Sequence, residues 1–113
     1  MPVELRKLIF SEPEIQKALV SFSLRKNIKL PTSAVAGIEI TEDPERMVVL
    51  HYAGGETGGQ QQVTFQRAQV GGALIRFCRD FNIPLPRDAL KVVRSDEGGV
   101  TLMLRREMGR TGG

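Results

Sequence analysis

The sequence predicts an α+β fold: an internally duplicated strand-helix-strand-strand unit that builds a mostly antiparallel sheet of about six strands, with two helices on one face and a pseudo-twofold between the halves. The first observation behind this is a self-match at an offset of 55. Residues 18–34 (ALVSFSLRKNIKLPTSA) and 73–89 (ALIRFCRDFNIPLPRDA) share eight identities in 17 ungapped positions, where composition alone gives roughly one. The second is periodicity. Ile15, Leu19 and Phe22, and then Val70, Leu74, Phe77 and Phe81, recur at intervals of three and four, so each half carries one helix with a single apolar stripe. The third is a set of short β-branched or apolar runs separated by turn-forming stretches.

Taken in order, Leu8 and Phe10 mark a first strand and match Val63 and Phe65 of the second half. Ser11 followed by Glu14 is the capping-box spacing, in which each side chain satisfies a free backbone N–H of the other's residue. A helix is therefore expected over about 12–26, and its counterpart over about 67–81. Asn27 and Asn82, each opening an N-I-x-L-P segment, stop these helices because Asn tolerates the left-handed conformation and Pro cannot continue a helix. Strands are expected at 35–40, 46–52, 61–66, 90–94 and 100–105. The register of 55 carries Met47, Val48 and Val49 onto Leu102, Met103 and Leu104, and the turn at Glu42 to Glu45 onto Glu97 to Val100. AGGETGG at 53–59 reads as a mobile connection. The whole chain, 1–113, is one domain of two repeats, about 1–55 and 56–110, with a flexible tail at 111–113.

Leu, Ile, Val and Phe make up 33 of 113 residues, well above the level at which a chain stays disordered for want of apolar surface to bury. The net charge of +3 permits anionic partners without marking a dedicated nucleic-acid binder. Glu4, Arg6 and Lys7 interrupt the opening apolar residues, so no signal peptide is expected, and no apolar run approaches the roughly 20 residues of a membrane span. Cys78 is the only cysteine. A cytoplasmic location is the expectation, since a single thiol cannot form an intramolecular disulfide.

The two halves act as a filter on function. Apolar residues, Asn and Pro recur at the offset, whereas Arg25 meets Asp80, Lys26 meets Phe81 and Leu24 meets Arg79. What recurs is scaffold, so a specific site is confined to one half or lies between them. His51 is the only histidine, and nothing near it in sequence supplies the ordered hydrogen-bonding chain of nucleophilic catalysis. One His and one Cys fall short of a zinc site. No catalytic, metal or cofactor site is expected. Cys78 stands where the first half has Ser23, as a small inert residue flanking the helix stripe.

Gly71 and Gly72 fall inside the second helix, where each costs about 1 kcal/mol relative to Ala. Either that helix starts late, or the glycines admit another backbone at close range. They are the candidate close-contact or interface residues, and a phosphate cradle is the weaker alternative because no full phosphate-loop motif follows.

The expected function is that of a small non-enzymatic binding or adaptor protein acting through protein-protein contacts or self-association as a homodimer, since an open six-stranded sheet has two unpaired edges. The alternative is nucleic acid or another polyanion held by the cations of the second half: Arg76, Arg79, Arg87, Lys91 and Arg94. No membrane partner is expected.

Overall fold

A computed structural model describes residues 2–54, 61–96 and 99–107. The element order is β1 (Val3–Ser11), α1 (Glu12–Arg25), β2 (Val35–Ile40), β3 (Val48–Tyr52), β4 (Gln61–Phe65), α2 (Arg67–Asp80), β5 (Leu90–Asp96) and β6 (Gly99–Glu107). This is an α+β fold of two helices and six antiparallel strands, with strand-helix-strand-strand occurring twice. Residues 55–60, which hold most of the glycine-rich connection, and the tail at 111–113 lie outside the described residues.

Both helices start and stop where local chemistry directs. Glu14 Oε1 accepts hydrogen bonds from the backbone N–H and the hydroxyl of Ser11, at 2.9 and 2.8 Å. At α2 the same arm is made by Gln69, whose Oε1 accepts from the Gln66 N–H at 2.8 Å. At the other end Asn27 and Asn82 both have φ of 57°. The following amide then turns back, Ile28 N–H to Ser23 O at 2.9 Å and Ile83 N–H to Cys78 O at 2.7 Å, the six-to-one bond of a Schellman stop.

The strands form two three-stranded sheets, one ordered β1-β6-β5 and one β2-β3-β4, in place of a continuous six-stranded sheet. We call them the terminal and the central sheet. The division follows from pairing between the halves: β1 crosses to β6 and β4 returns to β3, so β2, β4, β1 and β5 are all sheet edges. The edges are kept from joining by their own chemistry. Register shifts between Val35 and Gly37 in β2, and the Ser95 N–H of edge strand β5 is taken by Glu42 Oε1 at 3.2 Å; bulges and charged side chains are common guards of sheet edges. Both helices contribute buried residues to the core that the strands of the two sheets share. The helices pack on each other, and α1 meets β1 and β6 while α2 meets β5.

The constant offset of 55 also fails in the last strand of each half. Phe10 faces Val100 across β1/β6 and Phe65 faces Val48 across β4/β3, and Val100 lies 52 residues after Val48. The cause is the hairpin. Asp96 pairs with Gly99, whereas Ile40 and Val48 are joined through a longer loop in which the Thr41 and Asp43 side chains bind backbone groups.

One core joins all eight elements. Its fully buried members include Ile15, Leu19 and Leu74 from the helices and Val48, Leu50, Phe65, Val100 and Leu102 from the strands, each aliphatic side chain contributing about 1.5–3 kcal/mol on burial. Phe22 and Phe77 are only half-buried. Phe77 caps the core edge-on to Phe10, ring centroids 5.8 Å apart, and stacks at a tilt on exposed Phe81. The helix stripe turns its smaller members inward: Ala18, Ser23, Gly71, Ala73 and Cys78 are buried, and that is what lets the helices approach each other and the strands closely.

Candidate binding surfaces

Alternation along each strand sends every second residue away from the core. On the terminal sheet these are Val3, Leu5, Lys7 and Ile9 of β1, Thr101, Met103, Arg105 and Glu107 of β6, and Leu90, Val92 and Arg94 of β5. The register sets them in rows: Leu5, Arg105 and Leu90; then Lys7, Met103 and Val92; then Ile9, Thr101 and Arg94. Leu5, Ile9 and Leu90 are 64%, 65% and 59% exposed. Val3 and Val92 are exposed as well, so the outward face of this sheet is an apolar patch studded with cations.

The corresponding face of the central sheet has a different character. Its rows hold Glu39, Val49 and Thr64, then Gly37, His51 and Gln62. His51 Nε2 lies 3.3 Å from Glu39 Oε1, an ion pair whenever the imidazole is protonated. Val49 is fully buried there, and the side chains that remain exposed, Glu39, Gln62 and Thr64, are polar, whereas those on the terminal sheet are largely apolar. Sequence reasoning missed this contrast, because whether an apolar strand residue points inward or outward depends on a register that local pattern does not reveal.

The five cations singled out in the second half are divided among three places. Arg76 Nε binds Asp80 at 3.1 Å, and Asp80 also receives Arg25 Nη2 at 2.8 Å, linking the C-terminal ends of the two helices. Arg94 leaves the sheet for Glu42, 3.4 Å away, a carboxylate that also faces Arg67 at 3.5 Å. Arg79, Arg87 and Lys91 gather around a groove lined otherwise by Ile75, Ile83 and Leu85. Two carboxylates record these contacts. For Glu42, desolvation pushes the pKa up, but hydrogen bonds from Ser95 and Arg94 outweigh it and the value is lowered; Asp80 is lowered chiefly by the Arg25 hydrogen bond.

Gly71 and Gly72 are internal contacts. The helix begins at Arg67, before both glycines, so they lie past its first turn and no free N–H cradle forms at them. A Cβ on Gly71 would stand 3.2 Å from Val93 Cγ2, and one on Gly72 would stand 3.7 Å from Phe22 Cε1. Gly71 thus sets how closely α2 approaches β5, and Gly72 lies beside α1. The close approach is to a strand and a ring of the same chain.

Cys78 is fully buried, and burial raises its thiol pKa despite the nearby Arg6 charge. Such a thiol is a poor nucleophile at neutral pH. Among the described residues no three His, Cys, Asp or Glu side chains converge as a metal site would need, and no helix is long and apolar enough to cross a membrane. The chain matches no protein-family model, no curated protein and no solved structure.

Proposed function

We propose that this protein is a non-enzymatic binding module of the cytoplasm that works through protein-protein contact, with a second copy of itself seated on the outward face of the terminal sheet. The observation that carries the reading is the exposed row set of Leu5, Ile9, Leu90 and Val92 on a sheet whose counterpart is polar. Its apolar area is on the order of 500 Å², in the range of the largest and often functional patches on monomers. A twofold pair lays apolar on apolar without needing a second complementary surface. It covers roughly 1,000 Å² of such surface before the stems of Lys7 and Arg105 are counted, close to the size at which specific interfaces begin. Sheets stack in this way at about −30° in sandwiches.

The paired state of His51 and the buried state of Cys78 favour binding over catalysis, and a buried free thiol suits a reducing compartment. The repeated strand-helix-strand-strand order, with Asn27 and Asn82 in the same conformation, supports reading the chain as two copies of one unit about a pseudo-twofold. A polyanion-binding role has less support, because two of the five cations, Arg76 and Arg94, are held by carboxylates.

Light scattering at several hundred micromolar tests the proposal. A dimer mass is expected for the native chain and a monomer mass for Leu5→Glu combined with Ile9→Glu, whose circular dichroism stays unchanged because both sites are exposed. A monomer mass for the native chain refutes self-association.

A further inference from the structure

The groove beside α2 has a character independent of the sheet face. Ile75, Ile83 and Leu85 are half-buried, belong to the flank of the core and form an aliphatic floor. Arg79 and Arg87 stand exposed at the rim. Neither guanidinium has a side-chain partner among the described residues. Lys91 is better fixed: its Nζ donates to Pro86 O at 3.2 Å and Ala89 O at 3.1 Å, which leaves one of three N–H donors free and the charge unneutralised.

The neighbouring carboxylates are engaged elsewhere, Asp80 with Arg25 and Arg76 and Asp88 with Arg106 at 3.4 Å, and neither lines the groove. Three cations thus surround an apolar floor with no anion among the described residues that line it. The volume is ≈ 730 Å³, the size of a small-molecule site.

The first half shows what this place looks like without the charges. Fifty-five residues earlier stand Val20, Leu24, Ile28, Leu30, Thr32 and Ala36. The aliphatic positions are kept, while Arg79, Arg87 and Lys91 replace Leu, Thr and Ala. The scaffold needs the floor, and it does not need the cations.

We propose that this groove binds a small amphiphilic anion, a carboxylate head on an aliphatic body, with Arg79, Arg87 and Lys91 around the head and Ile75, Ile83 and Leu85 along the body. A guanidinium fork matches a carboxylate in shape as well as charge, and the floor rewards burial of a hydrocarbon chain. The floor offers no aromatic ring on which a base could stack, as single-stranded nucleic acid requires. Lys91 leaves β5 on the side opposite Leu90 and Val92, so the groove and the docking face lie on opposite sides of the terminal sheet and can fail separately.

Decanoate below its micellar concentration, at ~150 mM salt, is the probe, followed by methyl NMR of Ile75, Ile83 and Leu85 and by calorimetry. Saturable shifts confined to those methyls are expected, with no such response to decyltrimethylammonium. Arg79→Leu combined with Arg87→Thr installs the residues that the first half carries at these places. It should keep the amide spectrum dispersed and weaken decanoate by about 100-fold, about tenfold per cation. The proposal is overturned by unmoved methyls at millimolar decanoate, by equal binding of the cationic amphiphile, by unchanged affinity in the double variant, or by an oligonucleotide that shifts the same methyls more strongly at that salt.

Discussion

Replacing Gly71 and Gly72 singly by Ala should change stability in opposite directions, although the two residues are adjacent in one helix. Each substitution removes the entropic penalty of glycine in a helix interior, about 1 kcal/mol. At Gly72 nothing opposes that gain, since the new methyl stands 3.7 Å from Phe22 Cε1, ordinary contact distance, on an exposed position. Gly72→Ala should therefore stabilise by about 0.5–1 kcal/mol. At Gly71 the methyl meets Val93 Cγ2 at 3.2 Å, and Val93 is a core member only 8% exposed, so a few tenths of an ångström must come from moving packed atoms. Overpacking of that kind costs about 1–3 kcal/mol, and Gly71→Ala should come out destabilised by about 1 kcal/mol. Urea denaturation with a fixed slope reads both, and a change of 1 kcal/mol moves the thermal midpoint by about 4 °C in a domain of this size. Val93→Ala provides the control: in that background Gly71→Ala should turn stabilising. If Gly71→Ala stabilises the native chain as much as Gly72→Ala does, the close approach of α2 to β5 is not what selects glycine there.

Gly99→Ala should destabilise by about 3 kcal/mol or more, because a Cβ there runs into the carbonyl oxygen of Phe10 and a paired backbone cannot yield as a side chain can; a midpoint within error of the native chain refutes this. Stability should also fall in acid. Glu42 and Asp80 both have folded pKa values below their ordinary 4.5 and 3.8, so their stabilisation is fully present above the unfolded values and is lost as pH drops through the depressed ones. Urea midpoints between pH 7 and pH 2 should show a loss below about pH 4.5 that is smaller in Glu42→Gln, and an unchanged slope in that variant refutes the Glu42 contribution.

What the sequence disclosed and what it withheld divide along physical lines. Helix limits were legible to within a residue, since Ser11, Glu14, Asn27 and Asn82 act on backbone groups a few positions away. The cap at Gln66 escaped notice because Gln is an unusual residue for that place. Sheet partition was not legible: β1 meets β6 only through pairing across most of the chain, and no local pattern encodes it. The groove was half visible. Arg79, Arg87 and Lys91 stood out among the cations gathered in the second half, but their convergence needed the helix stop at Asn82 and the turn through Pro86 to bring three segments together.

The pairing of β1 with β6 also orders events during synthesis. The strands of the central sheet emerge one after another between residues 35 and 65, so that sheet can close while the ribosome is still working. β1 leaves the ribosome first among the strands and finds its partner last, when residues 99–107 appear. Closing such a distant contact is intrinsically slow. Until then Leu8 and Phe10, which folding covers, lie open beside Leu5 and Ile9, which stay exposed, and the segment is suited to capture by a chaperone or by another nascent chain. A chain halted before Gly99 would carry one finished sheet and two strands, β1 and β5, with nothing to pair.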